Sequence, residues 1–204
     1  MPCEPKTITF GVLADTHVPD RARHLQPEIL KAFKINAVDH ILHAGDVSSW
    51  MVIRKLEEIA PVTIVQGNRD ILFGMHLPKH QTLIFNNLKI VLAHGHRSLL
   101  HYLIDKFSYF RDGYLFDRYY RQLHQDYPDA DIIVFGHTHH QTARWVDGQL
   151  LFNPGVAYPC RYNNFRAQFG MLSITAEGLI QTRFFGPKNV IRDKMKHLMP
   201  SNEI

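Results

Sequence analysis

The chain has 204 residues, enough for one well-packed domain and short for two, so a single domain spanning 1–204 is expected. Hydrophobic residues make up 45% and charged residues 21%, which excludes a largely disordered chain, and no apolar run approaches the roughly 18 residues that cross a bilayer. The formal net charge of +4 favours an anionic partner, with phosphate esters, nucleic acids and acidic surfaces all admissible.

Residues 7–14 read as a buried strand ending at Asp15. Residues 26–35 carry helical spacing, with Ile29, Leu30 and Phe33 on one face. A second strand, 38–43, stops at Ala44-Gly45-Asp46. Ser48 or Ser49 then caps a helix running to about Ile59, with Met51, Ile53, Leu56 and Ile59 inward. Pro61 opens a third strand that ends at Gly67-Asn68. Strand–helix–strand–helix–strand order predicts parallel pairing with right-handed crossovers. Beyond it, 81–86 and 88–93 flank an Asn86-Asn87 hairpin turn. Residues 98–126 are aromatic, basic and helical in pattern, split near Asp112-Gly113. Residues 131–135 form a buried strand ending at Gly136-His137. Asp147-Gly148 and Glu177-Gly178 mark two more hairpins, and 188–199 a terminal helix.

Fourteen histidines are the most informative feature of the composition. Several sit at the carboxyl ends of apolar runs, in Asp15-Thr16-His17, His94-Gly95-His96 and Gly136-His137-Thr138-His139. Gly45-Asp46 and Gly67-Asn68-Arg69-Asp70 have the same architecture. Ligands of α/β sheets bind beyond the carboxyl ends of strands, so these loops are expected to converge on one crevice. Carboxylates and imidazoles suit two adjacent divalent cations, with Mn, Fe, Zn, Ni and Co all compatible. A lone carboxylate can bridge two cations, and Asp46 is the best candidate. Met-Pro-Cys-Glu-Pro-Lys has no apolar signal core, and Cys3 and Cys160 make a poor disulfide pair, so the expected location is the cytoplasm.

Taken together, these motifs resemble the calcineurin-like metallophosphoesterase superfamily, in its small bacterial and archaeal phosphodiesterase branch. The resemblance runs from Phe10 through Asp15 and His17 to the final hairpin. It implies a four-layer α-β-β-α sandwich of two mixed sheets. It also implies that Asp15, His17 and His139 hold one metal, that Asn68, His94 and His137 hold the other, and that Asp46 bridges them. Manganese is the first choice of metal. The implied reaction is in-line attack on phosphorus by a hydroxide that the metal pair activates. Asn153-Pro154-Gly155 matches a further family motif, normally followed by Ser where this chain has Val156.

One departure bears on the chemistry. Many members carry a histidine acid after the Gly-Asn pair, whereas this chain carries Arg69. Arginine stays protonated but binds phosphate through a fork of N–H groups, so Arg69 is expected to position substrate or to pair with Asp70. His96 is a candidate replacement acid or a support for the metal ligands. Residues 97–127 form a helical aromatic-basic cap, suited to nucleotide or single-strand binding or to packing on the domain or on a second subunit. The leading expectation is a phosphodiesterase acting on a small diester or nucleotide. The alternatives are a nuclease or nucleotide phosphatase, and a non-catalytic metal-binding scaffold for protein interactions, with a homo-oligomer open.

Overall fold

The computed structural model describes residues 6–95 and 116–187. Two mixed five-stranded sheets carry the architecture. The first is built around β1 (Ile8–Leu13), which pairs in parallel with β2 (His40–His43); β2 in turn pairs in parallel with β3 (Val62–Ile64). Helices α1 (Pro27–Ile35) and α2 (Trp50–Glu57) make the crossovers. The sheet is completed on the other side of β1 by the antiparallel pair β9 (Phe169–Ile174) and β10 (Ile180–Phe185).

The second sheet runs β4 (His80–Phe85), β5 (Leu88–Ala93), β6 (Ile132–Phe135), β8 (Gln149–Asn153), β7 (Thr142–Val146). Its β5, β6 and β8 are mutually parallel, and the hairpin strands β4 and β7 close the two edges. The predicted turns take the backbone that such hairpins require. Asn86 and Asn87 have φ of 47° and 63°, and Asp147 and Gly148 have 48° and 80°.

Side-chain alternation along the strands assigns the layers. Phe10, Val12 and Leu42 of the first sheet meet Ile90, Leu92, Val134 and Phe152 of the second in a shared core. On the outer face of the first sheet, Leu13 and Ile41 pack against Ile29 and Phe33 of α1 and Val52, Ile53 and Leu56 of α2. On the outer face of the second, Val91, Ile133 and Phe135 pack against Tyr120 and Leu123 of α3 (Phe116–Asp126). The result is an α/β fold of four layers, α-β-β-α. Among the described residues no helix is long and apolar enough to cross a membrane.

Helix α2 departs from its expected register. Ser49 caps it, its side chain accepting from the Met51 N–H at 3.2 Å. That start places Val52 inward at 2% exposure and Met51 outward at 58%. Apolar character alone assigned Met51 to the core; the cap position decides otherwise. Helical structure in the cap segment is seen over Phe116–Asp126, where Tyr120 and Leu123 are core residues of the outer layer. The earlier part of that segment and the expected 188–199 helix lie outside the described residues.

Phe33 joins α1 to β9 and β1 of the first sheet, meeting Phe169 edge-on at 5.7 Å and lying over Gly11. Replacing it with alanine is expected to lower stability by about 3–5 kcal/mol, read as the shift in a urea unfolding curve. A loss under 1 kcal/mol would show that this layer is not part of the cooperative core.

Candidate metal centre

The five motif loops leave the carboxyl ends of β1, β2, β3, β5 and β6, so both sheets contribute to one crevice at the end of their seam. Backbone bonds tie the first-sheet loops together. Asp15 N–H donates to Gly45 O and His17 N–H to Asp46 O, each at 3.0 Å. The chain turns sharply at the candidate ligands. Asp15, His17, Asp46, His137 and His139 all have left-handed backbone, with φ of 54°, 48°, 56°, 66° and 59°. Such conformations cost about 1–3 kcal/mol each for a residue with a Cβ and persist where surrounding contacts over-determine them. Gly67 makes the closest approach possible, since a Cβ there would stand 2.1 Å from Asp46 Oδ1.

The side chains converge. Asp15 Oδ1 is buried and has no hydrogen-bond partner among the described residues. It faces His139 Nε2 at 3.4 Å and His17 Nε2 at 3.9 Å. Asp46 Oδ2 faces His94 Nε2 at 3.5 Å and His17 Nε2 at 3.6 Å. His94 Nε2 also stands 3.2 Å from Asn68 Oδ1. The His137 ring lies 5.1 Å from that of His94, and the His137 N–H donates to Asp15 Oδ2 at 3.1 Å. Two clusters result, Asp15–His17–His139 and Asp15–Asp46–His94, each with donor atoms within 4.8 Å of one another. Donors held about 2.1 Å from a tetrahedral cation stand about 3.4 Å apart, so both clusters fit a divalent ion. Asp15 belongs to both clusters, and Asp46 Oδ2 faces a histidine of each, His17 and His94. The sequence-predicted ligands are thus brought to one place, while His96 lies outside the described residues.

The electrostatics also suit a cation. Burial opposes charge on Asp15, but His139 and His94 outweigh it and hold that carboxyl below its ordinary value. Burial likewise opposes charge on Asp46; His94 and His17 prevail and keep it well below the usual range. Burial presses the His17 ring down to about 4, the neutral form a metal needs. His94 differs, because Asp46 and Asp15 overcome its burial and lift it to about 9. Its Nδ1–H donates to Ala44 O at 2.7 Å, which leaves Nε2 as the atom that a cation and a proton would compete for.

A second ring of contacts was not legible in the sequence. Asp70 was a possible partner for Arg69, but it is fully buried and serves the backbone instead. Its Oδ2 accepts from Gly67 N–H at 2.7 Å and Asp46 N–H at 3.0 Å, and its Oδ1 from Ser48 N–H at 2.8 Å. Arg69 pairs with Asp20, Nε to Oδ2 at 2.5 Å, while its own N–H donates to Asp46 Oδ1 at 2.7 Å. Arg21 donates to the Tyr158 hydroxyl at 2.7 Å, and the Tyr158 ring meets that of His17 edge-on at 5.0 Å. The one signal that could have found Asp20 is its place three residues after His17. His43 is a buried strand residue beside Thr16 Oγ1 at 3.1 Å. His140 is half-buried in the loop before β7. Asn153 braces the His137 loop by donating to Gly136 O at 2.8 Å and Thr138 Oγ1 at 3.1 Å.

Comparison with known proteins bears on the family and the fold. Residues 8–177 match the model of the calcineurin-like phosphoesterase superfamily domain. A "Probable metallophosphoesterase" of Methanothermobacter thermautotrophicus is 33% identical over 148 residues, 72% of this chain and 76% of the relative. Among solved structures, Vacuolar Protein Sorting 29 from Cryptosporidium parvum superposes with a TM-score of 0.65 at 19% identity, covering 89% of this chain and 99% of its own. A novel archaeal phosphodiesterase gives a TM-score of 0.55 at 21% identity, covering 87% and 100%. The two structures speak to the fold.

Two outcomes test the surroundings of the site. Asp70→Asn turns one of two acceptor oxygens into a donor facing backbone N–H groups, and about 1–3 kcal/mol of stability should be lost in urea unfolding at pH 7. An unchanged midpoint would remove Asp70 from its bracing role. The second concerns pH. Burial depresses His43 to about 3 and His17 to about 4, below the 6.5 of an unfolded histidine. The unfolded chain therefore takes up protons first as pH falls. The contribution of these two groups to stability of the metal-free protein is full above pH 6.5 and declines below it, by about 1.4 kcal/mol per pH unit for each. His94, being raised, loses its contribution only as pH climbs from 6.5 towards 9. His43→Gln should flatten the decline between pH 6.5 and 4.5; an unaltered slope would exclude His43 as its source.

Proposed function

The chain belongs to the calcineurin-like phosphoesterase superfamily, and we propose that it is a metal-dependent phosphodiesterase that works with two adjacent divalent cations. The observation that carries this reading is the position of Asp46 Oδ2, 3.6 Å from His17 Nε2 on one side and 3.5 Å from His94 Nε2 on the other. In this reading Asp15, His17 and His139 hold one cation, Asn68, His94 and His137 the second, and Asp46 touches both. Bound there, two cations would draw in the phosphate oxygens and lower the pKa of a water placed for in-line attack. Manganese is the proposed metal and the cytoplasm the proposed location, with the chain acting as one domain.

The protein's own groups set the preference among esters. The Arg69 backbone N–H fixes Asp46 Oδ1, which leaves Oδ2 to the cations. The Arg69 guanidinium binds and orients the phosphate together with Asn68, but a guanidinium donates hydrogen bonds without releasing a proton and so makes a poor acid catalyst. A leaving group must then depart without help from position 69. Diesters with good leaving groups are favoured, and simple alkyl monoesters are slow. His96 is the proposed alternative proton source, two residues beyond His94. An archaeal phosphodiesterase on the same fold supports the preference for diesters.

Hydrolysis of bis-p-nitrophenyl phosphate with added manganese tests the proposal. Turnover should vanish on chelation and fall on the order of 100-fold or more in Asp46→Asn. An alkyl monoester should be turned over far more slowly than this aryl diester. No metal-dependent turnover by the wild type would sink the enzymatic reading. Equal rates on the two esters would sink the assignment of Arg69.

A further inference from the structure

Asp20 belongs to none of the ligand motifs, yet it touches two of the groups on which the proposed reaction depends. Its Oδ2 stands 2.5 Å from Arg69 Nε and 3.7 Å from His17 Nδ1. A turn closed by the Arg21 N–H on His17 O at 2.7 Å puts residues 17 and 20 on the same side of the chain. We propose that Asp20 is a positioning residue that serves both the metal ligand His17 and the substrate-binding Arg69. The proposal rests on the two-cation reading above and assigns to it a residue that no motif reveals.

The His17 side of the argument is one of satisfaction. His17 Nδ1 is buried and has no hydrogen-bond partner among the described residues. Its other nitrogen, Nε2, faces Asp15 Oδ1 and Asp46 Oδ2. An imidazole that gives Nε2 to a cation carries its proton on Nδ1 and needs an acceptor there, most often a carboxylate. Asp20 is the carboxylate that faces Nδ1. At 3.7 Å the contact is longer than a hydrogen bond, and bonds of this kind tighten when a site fills.

The Arg69 side is one of orientation. Arginine has three nitrogens, and the ion pair with Asp20 is closest through Nε, a contact without hydrogen-bond geometry. The two terminal amino groups keep their donors for a phosphate, in a side chain whose long stem is held at its far end. Arg21 joins the same carboxylate more loosely, Nε to Oδ2 at 3.9 Å, and donates to Tyr158. One carboxylate therefore offsets two guanidinium charges at the mouth of the centre and prevents their mutual repulsion from displacing Arg69. Asp20 touches neither the phosphate nor a cation; it acts through its neighbours.

The experiment compares wild type, Asp20→Asn, Asp20→Glu, Arg69→Ala and the Asp20→Asn/Arg69→Ala double variant, with thermal unfolding confirming that each folds. Manganese binding to the metal-free proteins is measured by calorimetry. Asp20→Asn should weaken it about 10- to 100-fold, with Asp20→Glu recovering part of the loss. With bis-p-nitrophenyl phosphate at saturating manganese, Asp20→Asn should raise KM about tenfold with a smaller change in kcat. In the Arg69→Ala background the same substitution should raise KM no further. A residue of merely structural importance would shift the melting temperature and leave these ratios alone. Wild-type manganese affinity and wild-type KM in Asp20→Asn, alongside an active wild type, would overturn the role of Asp20 and leave the two-cation reading standing. A wild type that neither binds manganese nor hydrolyses the diester would overturn both.

Discussion

The arrangement of the metal centre depends on one buried carboxylate that is not a candidate ligand. Asp70 accepts from the backbone of Asp46, Ser48 and Gly67, so a single side chain locks the loop after β2 to the loop after β3. That lock lets Asp46 keep a left-handed backbone and lets Gly67 press against it. From there the geometry spreads outward. Arg69 N–H fixes one oxygen of Asp46, His17 N–H bonds to Asp46 O, and the other Asp46 oxygen is left to the crevice. Burial raises the Asp70 carboxyl, against the pull of the Ser48 and Gly67 N–H groups. Without those N–H groups such a group could not stay ionised there.

A centre of this kind gathers charge that a protein interior resists. Asp15 and Asp46 are both buried, and Asp46 opposes the charge on Asp15. The surrounding imidazoles offset this repulsion, His139 and His94 at Asp15 and His94 and His17 at Asp46. Metal uptake would exchange one positive charge for a larger one at the same place. Asp46 and Asp15 favour the charged form of His94, so a cation bound at Nε2 would have to displace a proton there.

Much of this was legible in the sequence, for reasons that can be traced to particular residues. Asp15, Asp46, Asn68, His94 and His137 each follow an apolar run that can only be a strand, and strands of one sheet deliver their carboxyl ends to one edge. Asn86-Asn87 and Asp147-Gly148 announce hairpins because few other residues accept positive φ at two successive positions. What was not legible is long-range and polar. Nothing local says that Arg69 reaches Asp20, 49 positions away, rather than the adjacent Asp70. Met51 failed for a related reason: its neighbour Val52 is equally apolar, and the cap at Ser49 chose between them.

The crevice lies on the seam between the sheets, and this has a bearing on durability as well as chemistry. β1, β2 and β3 supply Asp15, Asp46 and Asn68, whereas β5 and β6 supply His94 and His137. Between the sheets lies an apolar core, and hydrogen bonds such as His137 N–H to Asp15 Oδ2 and Gln81 to Ile64 O tie its rim. A cation seated among these residues would add a further clasp across the two halves. Folding would then answer to the concentration of free metal, gaining about 2.7 kcal/mol at a hundred times the dissociation constant. Scarcity of the ion would weaken the protein as well as silence it.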